Sequence, residues 1–110
     1  WKEHPKSPIV LNDKSKARSA GRIINYKSSL YRFSQDCTNI YGENIRAHNI
    51  KIMSKLEYKE EEYSKNPILK PTGRGWNSHR THHIDVSEES PDNWLGVVDG
   101  LKRERGIFFK

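Results

Sequence analysis

The chain predicts an all-β fold of antiparallel hairpins, and three observations carry that expectation. Apolar residues are gathered into short runs rich in β-branched and aromatic side chains: RIINY, LYRF, NIKIM and NWLGVV. Polar or glycine-bearing turns separate these runs. Helix competes over residues 45–65, where KLEYKEEEYSK is rich in helix formers, but no capping signal opens that run. It alternates Tyr58, Glu60 and Glu62 with Lys59, Glu61 and Tyr63, as a charged edge strand does. Four such strands, a linker and two more give antiparallel units in series, the arrangement of propeller blades.

The elements follow in order. Residues 1–17 form an extended lead-in, because Pro5 and Pro8 disfavour helix and Ile9, Val10 and Leu11 are only a short strand or anchor. Residues 18–65 form the first blade. Within it RIINY and LYRF make a hairpin around a polar turn at Lys27 to Ser29, TNIYGEN turns at Gly42, and IRAHNIKIMSKL supplies a third strand. Strand alternation puts Tyr31 and Phe33 on one face and Arg32 on the other. Ile45 and Ala47 fall out of phase with Ile50 and Ile52, which a bulge near Asn49 would reconcile. Residues 66–77 hold two prolines and two glycines and read as a linker. Residues 78–110 begin a second blade, with THHIDV and NWLGVVDG paired around a loop at Glu88 to Asp92 and an apolar end, GIFFK.

Composition limits what such a chain does. Its 110 residues are 33% hydrophobic and 31% charged, with a mean hydropathy of -0.98, poor material for a core of its own. This, with a start at Trp1, predicts a piece of a longer protein that rests on missing upstream blades. The net charge of +6 comes from 20 Lys and Arg against 14 Asp and Glu. The cations are dispersed from Lys2 to Lys110, so a solvated surface is expected and nucleic acid is not. Cys37 is the only cysteine, which excludes an intrachain disulfide and a cysteine zinc cage. No apolar run reaches the ~18 residues of a membrane span. No cofactor is expected.

Six short motifs in fixed order carry a family resemblance: W-x-x-H-P-x-S-P at Trp1 to Pro8, A-R-S-A-G-R at Ala17 to Arg22, L-Y-R-x-x-Q-D-C at Leu30 to Cys37, Y-G at Tyr41 and Gly42, H-H-I-D at His82 to Asp85, and W-L-G-V-V-D-G at Trp94 to Gly100. On these motifs the chain resembles the C-terminal part of the glycosidase-like five-bladed β-propeller domain of the glucosamine inositolphosphorylceramide transferase family and its bacterial relatives. The resemblance implies a fragment of a five-bladed propeller that acts on or binds a glycan or glycolipid headgroup. It also implies that carboxylates from other blades complete any catalytic pair.

The candidate binding residues are Arg18, Arg32, Gln35, Asp36, His82 and Asp99. Arginine offers a planar donor fork, and aspartate accepts from vicinal hydroxyls. The competing expectation makes Arg32 and Asp36 a structural ion pair. Asp85 and Asp99 are candidates for a general acid and base. His79, His82 and His83 suggest zinc, but neighbouring strand residues face opposite sides, so no metal site is expected. Trp1, Trp76 and Trp94 either stack on sugars or pack between blades. Two other functions fit these residues: a non-catalytic carbohydrate-binding or scaffolding propeller, and a small metal-dependent nuclease built on HHID and Asn93.

Overall fold

The computed structural model of the chain describes residues 1–103, so the apolar end at Ile107 to Phe109 lies outside the described residues. The described residues are all-β with antiparallel pairing and one 3-10 turn at Gly75–Asn77. Seven strands run in chain order: β1 Arg18–Ser19, β2 Ile24–Tyr26, β3 Ser29–Asp36, β4 Asn44–Met53, β5 Tyr58–Glu62, β6 Ile84–Ser90 and β7 Asn93–Val98. The first five form one sheet and β6–β7 a second. Neither sheet closes on itself.

The hairpin at the centre forms where the alternation places it. Ile24 pairs with Tyr31 and Tyr26 with Ser29, so Lys27 and Ser28 alone make the turn. Both have positive φ, 48° and 62°. Two left-handed residues give the turn that follows the natural twist of paired strands. β3 then pairs along its length with β4, Leu30 opposite Ile50 through Asp36 opposite Asn44.

That register corrects the placement of the β4 residues. It runs unbroken through Asn49, so no bulge brings Ile50 into phase with Ile45 and Ala47. The irregularity falls later, between Ile50 and Ile52, where β4 meets β5. Ile45 and Ala47 join Phe33, Ala20 and Ile84 in the apolar core. Ile50 shares the opposite face with His48 and Arg32.

The segment expected as a linker is tied down at its start. The amide of Ile68 donates to the Ile45 carbonyl at 2.9 Å, and the Ile45 amide donates to the Leu69 carbonyl at 2.9 Å. β6 meets the first sheet at Ala20, whose carbonyl accepts the Ile84 amide at 2.8 Å. These contacts carry the residues before β6 and after β7 to the loop between β3 and β4.

Candidate functional site

Four chain-distant segments meet at one end of the apolar face. Arg18 stands on β1 opposite Gln35. Tyr41 lies in the loop after β3, His82 just before β6 and Asp99 just after β7. The Arg18 guanidinium carbon sits 4.9 Å from the Tyr41 ring centroid, and Nη1 donates to the Tyr41 hydroxyl at 3.3 Å. The Tyr41 and His82 rings meet edge to face, 5.8 Å apart at 85°. His82 Nδ1 pairs with Asp99 Oδ2.

Asp99 fixes this arrangement through its second oxygen. Oδ1 accepts the backbone amides of His82 at 3.0 Å and His83 at 2.9 Å. Its main-chain carbonyl accepts the buried Thr81 hydroxyl at 2.9 Å. The imidazole is therefore held through Nδ1. All four side chains remain reachable: Tyr41 is 46% exposed, His82 39% and Asp99 38%.

Gly42 makes the approach of the Tyr41 loop to His82 feasible. Its φ is +63°, and a Cβ there would lie 2.5 Å from the His82 Cβ. Two hollows flank Tyr41. One, of about 120 Å³, is lined by Tyr41, Arg80, His82, Asp99, Gly100 and Leu101. The other, wider and about 620 Å³, is bordered by Lys14, Arg18 and Cys37 among others.

The residues singled out in the sequence thus divide into two groups. Arg18, His82 and Asp99 come together through Tyr41, whose part the sequence did not announce. Gln35 lies beside Arg18, but its amide nitrogen is spent on the Ser19 carbonyl at 3.0 Å and its oxygen is buried without a partner among the described residues. Arg32 and Asp36 sit elsewhere, on the opposite face of β3, and they do not pair with each other. Arg32 Nε and Nη2 grip Glu60 Oε2 and Oε1 at 2.8 and 2.6 Å, and Nη1 donates to the Lys16 carbonyl at 3.0 Å. Asp36 accepts from Arg46 Nη1 at 3.2 Å. Arg46 also binds Glu62 through Nε at 2.6 Å.

This second group is a buried polar layer. Ser34 Oγ lies 2.7 Å from His48 Nε2, and the Tyr58 hydroxyl donates to Glu60 Oε2 at 2.6 Å. Burial, then Glu60, pushes the Tyr58 hydroxyl up to about 12. Burial, and next Arg32, holds the His48 imidazole below its ordinary range. Burial raises Glu60, but its hydrogen bonds from Arg32 and Tyr58 outweigh that and leave it below the usual carboxylate range. The Ser34, His48 and Glu60 side chains are 0%, 1% and 12% exposed, so they knit the sheet rather than meet a ligand.

The remaining candidates have other partners. Asp85 pairs with Arg22 at the surface, 2.6 Å from its Nε, and Asp99 with His82. Trp94 packs edge to face on Tyr26, 5.7 Å away, while Trp1 is fully exposed and Trp76 lies against Gly100. Among the described residues no three His, Cys, Asp or Glu side chains converge as metal ligands.

Comparison with known proteins completes the site's context. Over 111 residues and 99% of its length, the chain is 40% identical to glucosamine inositolphosphorylceramide transferase 1 of Arabidopsis thaliana. It is 39% identical over 102 residues, 91% of its length, to the proteins of that name in Oryza sativa subsp. indica and subsp. japonica. The chain spans about 14% of the length of these curated relatives. No solved structure matches it. Residues 1–101 match the family model described as the N-terminal part of glucosamine inositolphosphorylceramide transferase 1; the match is to an N-terminal region, and placement in the C-terminal part of a propeller gains no support. The chain belongs to the glucosamine inositolphosphorylceramide transferase 1 family, in its N-terminal region.

Proposed function

We propose that this chain forms part of a recognition surface for the sugar-bearing headgroup of a glycolipid, within a larger transferase of this family. The observation that carries the reading is the convergence of Arg18, Tyr41, His82 and Asp99 from four segments onto one exposed spot between two hollows. A half-exposed aromatic ring flanked by a cation and a fixed imidazole offers an apolar face and directional hydrogen bonds together. Saccharides present that same mixture. The family membership and the names of the relatives favour a glycolipid as the source of the sugar.

The architecture is read as successive propeller blades. Strands β2 to β5 are a four-stranded antiparallel meander in chain order, and β6–β7 is a hairpin following it. The remainder of the polypeptide would supply the other blades.

Nanodiscs of phosphatidylcholine carrying a glycosylated inositolphosphorylceramide test the function, with nanodiscs carrying the same lipid without its sugar as control. The chain is expected to bind the first and not the second, and Tyr41→Ala with His82→Ala is expected to weaken binding at least ~10-fold. Equal binding to both nanodiscs, or full binding by the folded double variant, would refute the reading.

A further inference from the structure

Among the described residues β7 has a strand on one side only, β6. The ladder runs one step past both strands, where the Asp99 amide donates to the His83 carbonyl at 3.4 Å. Antiparallel pairs alternate between those that exchange hydrogen bonds and those that do not, so counting back from His83 and Asp99 makes Asp85–Val97 and Ser87–Leu95 the bonded pairs. The amides and carbonyls of Trp94, Gly96 and Val98 therefore point away from β6. Ile84 agrees with this phase, since its amide turns outward to the Ala20 carbonyl.

That outer edge lacks the charges by which exposed strands avoid pairing. β5, an edge strand of the first sheet, carries Lys59, Glu61 and Glu62, whereas β7 reads NWLGVV. Val98 packs toward the core, so Leu95 and Val97 lie on the other face, 53% and 66% exposed. Charge is uneven along the strand. Glu88, Glu89 and Asp92 gather at the turn that opens β7, and Lys102 and Arg103 follow its other end.

We propose that this edge takes the same edge of a second copy, antiparallel about a two-fold axis at Gly96, so that two hairpins make one four-stranded sheet. The register follows from the groups that point outward. Gly96 meets Gly96 and Trp94 meets Val98 as bonded pairs, which gives about six main-chain hydrogen bonds over the strand. Leu95 meets Val97 as a non-bonded pair, about 4.5 Å apart at Cα, and each covers the other's exposed side chain. The same register lays the acidic turn of one copy beside Lys102 and Arg103 of the other, where a parallel alignment would set acid against acid. The pairing does not depend on the saccharide reading of the Tyr41 site.

Sedimentation equilibrium of the chain from about 10 μM to about 1 mM tests the pairing. A reversible monomer–dimer equilibrium is expected, weakened at least ~10-fold by L95K/V97K, which places like charges opposite each other at two exposed positions. On a Cys37→Ser background, an equal mixture of Leu95→Cys and Val97→Cys chains is expected to give mainly the mixed disulfide, because that pair alone is in register and within disulfide reach. A monomer throughout the range, undiminished association of a folded L95K/V97K, or a homodisulfide in excess of the mixed one would overturn the proposal. If L95K/V97K does not fold, the disulfide result decides. A β7 protected from hydrogen exchange in a monomeric, longer protein of this family would give the edge to another strand of the same polypeptide and overturn the second copy.

Discussion

Gly42 carries two constraints at once, and they set the geometry of the whole site. Its left-handed φ of +63° disfavours any residue with a Cβ, and the same Cβ would overlap His82. Gly42→Ala is therefore expected to cost at least about 1 kcal/mol and to push the Tyr41 loop off the imidazole. A thermal melt measures the first effect and the His82 ring resonances the second; an unmoved His82 signal would show that the loop does not hold the ring. The neighbouring Tyr41 illustrates why the site was only half legible in the sequence. Tyr41 and Gly42 form a recognisable motif, but nothing in a loop residue's neighbours says that its ring will bridge Arg18, 23 positions back, and His82, 41 positions on. Arg32 and Asp36 show the opposite failure. Four positions along an extended strand separate two residues by about 13 Å, too far for an ion pair, and each takes its partner from a neighbouring strand instead.

At the scale of elements, alternation and the two hairpin pairings were legible, and the registers of β4 with its two neighbours were not. The faces of β3 follow from period two, so Phe33 and Arg32 are where the sequence puts them. The Lys27–Ser28 turn has no Asn-Gly signature, and the flanking runs place it at Lys27 to Ser29, one residue longer than the register makes it. Glu60 became the partner of Arg32 only through the β3–β4 and β4–β5 registers together. The polar layer that results predicts a pH dependence. The His48 imidazole titrates below its unfolded value near 6.5, because burial, and then Arg32, disfavours the cation. Its contribution is therefore full above about pH 6.5 and declines as pH falls below that, because only the unfolded chain then takes up the proton. Glu60 and Glu62 act lower: both are depressed in the fold, so the stability they add is present above about pH 4.3 and is lost as pH falls through their folded values. Stability should thus fall in two stages, the first by up to ~1.4 kcal/mol per pH unit. Denaturant melts between pH 8 and pH 5 should show the first stage in the parent and a flatter profile in His48→Gln; parallel profiles would assign the loss to other groups. Truncating Arg32 to Met strands Glu60 and is expected to cost about 3 to 5 kcal/mol, more than the surface variant Arg22→Met.

For the molecule as a whole, the two sheets differ in how far their backbone is committed. β3 is paired on both edges, by β1 and β2 on one side and β4 on the other, and β4 lies between β3 and β5. Three of the five core residues, Phe33, Ile45 and Ala47, lie on those central strands, while Ala20 follows β1 and Ile84 opens β6. The second sheet has only two strands, and Leu95 and Val97 on β7 are 53% and 66% exposed. A lone hairpin is marginal in water, because few apolar contacts offset the ordering of its backbone. The radius of gyration of 16.5 Å, against about 13 Å for a compact domain of this length, reflects the same thin construction. Hydrogen exchange should therefore grade along the chain. The amides of Phe33 and Ala47 are expected to open only with global unfolding, while those of β7 exchange through local opening of far lower free energy. Uniform protection across β3, β4 and β7 would mean that the hairpin is held as firmly as the central sheet, through Ile84, Asp85 and Trp94 on the first sheet. A β7 that gains protection within a full-length protein of this family while β3 does not change would identify the exposed side of this hairpin as a contact surface.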